Sequence, residues 1–288
     1  FGLVAPDGRD HIDADGFSRG AHEASGNNGE IPTMSNYDRN PSAGYGYRTG
    51  AGVEAGAIDQ GLRSYMLGVY NYMAIALAVT GLAAIGTFKL AVGVGPDGAM
   101  HLTDIGTMLY TSPLKWVVML APLGLVFWLS ARINSMSVGG AQTLFWVYSA
   151  LVGVSLSTIF LVYAHGSIAR VFFITAASFG ALSVYGYTTS KSLSGLGSFL
   201  FMGLIGIIIA SLVNIFLASS ALQFAISIIG VLVFSGLTAY DTQQIKEMYY
   251  AGDDGTVMGR KSIIGALRLY LDFINLFMML LQLFGNRE

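Results

Sequence analysis

The chain has 288 residues, 53 % of them hydrophobic and 11 % charged, with a formal net charge of −2. Soluble domains carry roughly 25 % charged residues, so this balance points to a polytopic membrane protein, and the slight acidity with no basic cluster argues against nucleic acid as a partner. The absence of cysteine excludes disulfides, thiolate catalysis and cysteine-based metal sites.

Residues 1–61 are rich in Gly, Asp, Asn, Ser and Ala and show no sustained apolar periodicity. Such a segment cannot bury enough apolar surface to offset its ordering entropy, so it reads as a disordered cytoplasmic tail. No basic stretch leads into an apolar one, so no secretory signal is expected. Residues 1–33 precede an ordinary start at Met34-Ser35-Asn36-Tyr37 and read as an upstream extension. The Gly44-Tyr45-Gly46-Tyr47 patch reads as part of the same solvated tail.

From residue 62 onward apolar runs follow one another with short breaks. A span needs about 20 apolar residues to cross a hydrocarbon core of ~30 Å. Seven candidates result, at 66–94, 114–131, 141–163, 167–187, 197–218, 221–243 and 262–284. The break Ala218-Ser219-Ser220-Ala221 is so short that the fifth and sixth spans must form an antiparallel hairpin. Arg268, Asp272, Asn275 and Gln282 interrupt the seventh span. A central helix shielded from lipid by the other six would tolerate them; a lipid-facing one would not. The expected architecture is an all-α, seven-helix membrane bundle with the polar seventh helix central.

Alternating the loops places Arg63, Arg132, Lys191, Lys246, Arg260 and Lys261 on one side, and Lys89, Lys115, Arg170 and Arg287 on the other. The long loop 96–113 contains Asp97 and Asp104 without Lys or Arg. This bias predicts a cytoplasmic N-terminus and an external C-terminus. Gly81, Gly86, Gly203, Gly206, Gly230 and Gly236 suit close helix approach.

Two carboxylates stand within apolar runs, Asp241 in the sixth span and Asp272 in the seventh. A charge at membrane depth costs several kcal/mol unless paired or hydrated, which marks both as functional candidates. Asp241 lies about 9 Å, and Asp272 about 15 Å, from the same end of the bundle at 1.5 Å per residue. If the two helices are neighbours, the carboxyls can meet. Two carboxylates in contact cannot both stay ionised cheaply, so the pair can share a proton and titrate as a unit. Arg268 is an i, i+4 neighbour of Asp272, and Arg132, ending the second span, is the candidate cation from another helix. The alternative is a static ion-pair network that fixes helix register.

Other polar residues carry weaker signals. Asn71 and Asn214 suit helix-to-helix hydrogen bonds, His165 suits a loop, and Met278 and Met279 suit core packing. His11, His22, His101 and His165 form no HExxH and no i, i+4 pair, which argues against zinc. The last span has no deep lysine for a Schiff base, and Ser235-Gly236 has no membrane histidine to activate it. No enzymatic activity and no cofactor is expected.

Four motifs, Gly186-Tyr187-Thr188-Thr189, Leu193 through Leu200, Tyr240-Asp241-Thr242-Gln243 and Tyr270 through Phe277, strongly resemble the Bax inhibitor-1 family, also called transmembrane Bax inhibitor motif proteins. The resemblance covers about residues 62–285 and is specific because the motifs occur in the family's order. It implies a bacterial member, a seven-helix bundle with the last helix central, and a pH-sensitive Ca²⁺ leak channel of the inner membrane. The aspartate pair of that family matches Asp241 and Asp272, and the arginine that latches onto the sixth-helix aspartate matches Arg132. Tyr240, Gln243 and Asn275, within the same motifs, and Arg268 count as supporting residues. Ca²⁺ is then the transported ion, passing near Asp241 and Asp272. Some relatives carry an acidic residue inside the second helix; residues 114–131 have none.

Two functional readings follow. The first is a proton-gated Ca²⁺ leak, with Arg132 holding the second helix against the ionised pair. The second is a non-conducting membrane regulator that binds a partner such as a membrane-bound ATP-dependent protease, through the tail at residues 37–58. A small-solute transporter fits less well, because paired Gly/Pro-broken helices are missing.

Overall fold

A computed structural model describes residues 50–96 and 99–287. Among the described residues, seven helical segments are long and apolar enough to cross a membrane: Gln60–Ala91, Leu114–Ser135, Val138–Val162, His165–Thr188, Ser194–Leu217, Ser220–Glu247 and Gly255–Phe284. They coincide with the seven expected spans. The tail expected over residues 1–61 lies outside the described residues up to residue 49, and helix α1 (Gly50–Ala91) starts upstream of the expected boundary.

After α1 come two short strands, β1 (Val92–Val94) and β2 (Met100–Leu102), paired antiparallel, and helix α2 (Asp104–Tyr110). The sequence pattern carries the first span on to Val94 and predicts only a loop over 96–113, whereas the helix ends at Ala91 and Val92–Val94 pair as β1. Thr103 starts α2 by accepting from the Gly106 N–H, and its own hydroxyl donates to the Leu90 carbonyl at 2.8 Å. The second span is α3 (Leu114–Arg132), closed by a 3₁₀ turn at Ile133–Ser135. The third is α4 (Val138–Leu156) with the single-turn α5 (Ile159–Val162), broken near Ser157, whose hydroxyl bonds the Tyr110 phenol at 2.8 Å.

The remaining spans are α6 (His165–Thr188), α7 (Ser194–Leu217), α8 (Ser220–Glu247) and α9 (Gly255–Phe284). The predicted α7–α8 hairpin is made by one residue in the left-handed region, Ala218 at φ 48°. Its strain is offset locally: Asn214 Oδ1 accepts from the Ser219 N–H at 3.0 Å, and Ser219 Oγ accepts from the Leu222 N–H. Helix α9 starts seven residues before the apolar run, at Gly255 rather than 262, because Asp254 caps it through the N–H groups of Thr256 and Val257, both at 2.8 Å.

Helix α9 packs on α1, α4, α6 and α8. In its most apolar stretch 61 % is buried, against 11 % in α3 and α7, so the polar seventh span is the one best shielded by protein. Its Tyr270, with 0 % exposure, meets the Thr80 hydroxyl of α1 at 2.7 Å, and Thr80 also bonds the Ser149 carbonyl of α4 at 2.9 Å. Two glycines allow membrane helices to approach backbone to backbone. A Cβ at Gly186 would strike the Ala239 carbonyl of α8, and one at Gly153 would strike the Thr80 carbonyl of α1. Gly81, Gly86 and Gly206, expected to serve the same purpose, face open space.

Leu82, Phe216 and Leu232, at 74 %, 88 % and 68 % exposure, belong to a broad apolar exterior of the kind that faces lipid. At the end of the chain, the Asn286 carbonyl accepts from the Ala164 N–H at 3.0 Å and the Asn286 N–H donates to Ser167 Oγ at 2.9 Å, tying the tail to the start of α6.

Candidate functional site

Helices α8 and α9 are antiparallel neighbours joined by residues 248–254, and this brings the two membrane carboxylates together. Asp241 and Asp272 are close enough to share a hydrogen bond, and both feel the Arg268 guanidinium. Asp272 is 5 % exposed, and its Oδ2 has no hydrogen-bond partner among the described residues. A buried carboxylate oxygen without a donor is costly, and it calls for a proton or a cation.

The pair lines a cavity of about 470 Å³ between α7, α8 and α9. Polar lining comes from Ser198, Tyr240, Arg268 and Asn275; Phe201, Leu204, Phe234 and Leu237 supply apolar walls. Arg268 is exposed, so its charge reaches the cavity opening. Helix α7 packs far more closely on α8 than on α9. With both carboxylates ionised, the Asp241–Asp272–Arg268 group carries one net negative charge; with one proton it is neutral.

Of the expected site residues, the structure therefore gathers Asp241, Asp272, Arg268, Asn275 and Tyr240. It does not gather Gln243 or Arg132. Gln243 is buried on another face of α8, where Oε1 accepts from the Leu193 N–H at 2.7 Å and Nε2 donates to the Lys191 carbonyl at 2.9 Å. It straps the α6–α7 connection rather than lining the cavity. Arg132 is exposed at the end of α3 and, among the described residues, makes no ion pair with either aspartate. The reason is local: Arg260 Nη1 donates to the Asn134 carbonyl at 2.7 Å, which holds the end of α3 beside the first turns of α9. Asp272 stands twelve residues further along α9, roughly 18 Å away at 1.5 Å per residue.

Other expectations resolve individually. Asn214 does bond helix to helix, through Nδ2 to Gln223 Oε1 at 3.1 Å. Asn71 does not; it is exposed on α1 with no side-chain hydrogen bond among the described residues. His165 opens α6 between the Phe88 and Phe160 rings. Gln223 and Ser227, which both bond Gln282 of α9 at 2.6 and 2.8 Å, escape the sequence pattern. A signal for them exists: Gln282 is a polar residue in an apolar run and needs partners at that depth.

Among the described residues no three His, Cys, Asp or Glu side chains cluster as metal ligands. The cavity supplies two carboxylates and the neutral oxygens of Ser198, Tyr240 and Asn275.

A family model described as "Inhibitor of apoptosis-promoting Bax1" matches residues 62–288. Relatives include the uncharacterized protein RP147 of Rickettsia prowazekii, 51 % identical over 233 residues, covering 80 % of this chain and 92 % of the relative. The inner membrane protein YbhL of Escherichia coli K12 is 48 % identical over 231 residues, covering 79 % and 94 %. An uncharacterized protein of Caulobacter vibrioides is 46 % identical over 234 residues, covering 81 % and 92 %.

Proposed function

The chain belongs to the Bax inhibitor-1 family, and from that premise we propose that it is a proton-controlled Ca²⁺ leak pathway of the bacterial inner membrane. The observation that carries the reading is the buried Asp241–Asp272 pair, with its unpartnered oxygen, opening on a cavity large enough for a hydrated ion. The inner-membrane assignment is supported by the Escherichia coli relative, an inner membrane protein. The N-terminus is on the cytoplasmic side, by the bias of Lys and Arg toward the loops at the Asp241 end.

The proton changes the charge of the cavity. Ionised, the pair attracts both Ca²⁺ and a second guanidinium beyond Arg268. The family resemblance assigns that role to Arg132: moving the end of α3 toward the cavity would set it against Asp241 and close the cavity. Protonation neutralises the Asp241–Asp272–Arg268 group and removes the attraction, a local charge change that biases a two-state element. On this reading, Arg132 standing apart from the pair is the unlatched arrangement.

Ca²⁺ flux into liposomes across pH tests this, using wild type, Asp241→Asn, Asp272→Asn and Arg132→Gln. Wild type is expected to show pH-dependent flux, and the three variants to lose that dependence. Identical pH profiles in all four would overturn proton control. A wild type without flux at any pH would overturn the leak itself and leave the non-conducting regulator.

A further inference from the structure

The cavity at the aspartate pair ends at the level of Phe234 and Asn275, yet the polar residues of α9 continue. Arg268, Asp272, Asn275 and Gln282 are spaced four, three and seven residues apart, which keeps them on one helix face. The facing side chains of α8 run the opposite way. Asp241 meets Asp272, Gly230 lies against Met279, and Ser227 and Gln223 bond Gln282. At the far end Asn214 of α7 joins the same knot through Gln223.

Polar groups therefore occupy both ends of the α8–α9 seam. Between Asn275 and Gln282 the α9 line carries an apolar side chain, Met279, seated on the bare backbone of Gly230. A Cβ there would lie 2.7 Å from Met279 Sδ and 2.8 Å from its Cγ. An unbranched thioether with three rotatable bonds can leave such a seat without moving either helix. A hydrophobic constriction closes a narrow path by keeping water out of it.

Taking the leak reading as its basis, we infer that the α8–α9 seam is the far half of the ion path. Met279 on Gly230 is its dry constriction, and the Gln223–Gln282–Ser227 knot is its far mouth. Asp241 and Asp272 then control charge on one side of a plug that lies about 10 Å further along α9, seven residues from Asp272.

The absence of native cysteine makes water access directly readable. A membrane-impermeant cationic thiosulfonate is added to the face bearing the α7–α8 turn. Gln282→Cys is expected to react, and Asn275→Cys to react slowly. Combining Asn275→Cys with Met279→Ala should speed its labelling about tenfold, as opening a dewetted constriction requires. Met279→Leu in the same background keeps an apolar plug and should leave the slow rate unchanged, which separates plug removal from general loosening. An unreactive Gln282→Cys overturns the inference, and so do equal Asn275→Cys rates with and without Met279→Ala. Labelling needs no Ca²⁺, so pH-dependent wild-type flux alongside a negative labelling result would leave the leak standing and remove only this route.

Discussion

Thr80 and Tyr270 meet hydroxyl to hydroxyl at 2.7 Å, in a part of the bundle where Tyr270 has no solvent exposure. Thr80 also donates toward the Ala76 and Ser149 carbonyls, both at 2.9 Å. One threonine thereby ties α1, α4 and α9 together, on the side of α9 away from the aspartates. Tyr270→Phe keeps the ring between Phe145 and Tyr148 and removes only the phenol, with an expected cost of about 1 kcal/mol. Tyr270→Ala also empties the ring's volume and should cost about 3–5 kcal/mol. Thermal unfolding in detergent should rank them in that order, and equal losses would contradict the packing.

The Gly186–Ala239 contact predicts an asymmetry among glycines. Gly186→Ala drives a methyl into the Ala239 carbonyl, where backbone must yield, and should destabilise by about 1–3 kcal/mol. Gly206→Ala meets nothing within 4 Å and should be neutral or stabilising by up to about 1 kcal/mol through helix propensity. Unfolding midpoints of the two variants, measured side by side, check this.

Gln243 satisfies both the Leu193 N–H and the Lys191 carbonyl. Gln243→Leu leaves both backbone groups unpaired at an expected cost of about 1–3 kcal/mol. Hydrogen exchange at the Leu193 amide should rise sharply. Under the proposed leak, the pH profile of Ca²⁺ flux should not shift, because Gln243 is outside the cavity. A shifted profile would return Gln243 to the functional set.

Arg260 holds the turn after α3 through the Asn134 carbonyl. Arg260→Ala should raise hydrogen exchange across residues 133–137 and leave the Gln243-strapped loop at 189–193 unchanged. Unchanged protection at 133–137 would mean that the tether does not position the end of α3.

Much of this is legible in the residues. Apolar run length locates every span, and the Ala218-Ser219-Ser220 break announces the α7–α8 hairpin because no longer connection fits. The aspartate pair is legible because two charges on consecutive apolar runs are too costly to stand apart. The strands β1 and β2 are not, since three-residue strands show no alternation to read. The first turns of α9 hide behind Arg260 and Lys261, which look like loop residues until the Asp254 cap is seen. Gln243 and Tyr240 share a motif, yet three positions apart on α8 they do different jobs, one binding a loop and one lining the cavity. Arg132 can be placed at the end of a span from sequence, but its distance from Asp272 depends on the Arg260 tether, which no local pattern reports.

The join between α8 and α9 has a consequence for how the protein is made. Asp241, Asp272 and Arg268 all belong to one helical hairpin, whose turn is itself clasped by Lys261 to Asp253 and to the Met248 carbonyl. An ionised side chain entering hydrocarbon alone costs about 2.5–3.5 kcal/mol on insertion scales. Here the opposing charge arrives on the same hairpin, and one proton completes its neutrality. Membrane insertion of these last two spans can therefore proceed as a single, nearly uncharged unit, before the helices of the N-terminal half have found their places around it.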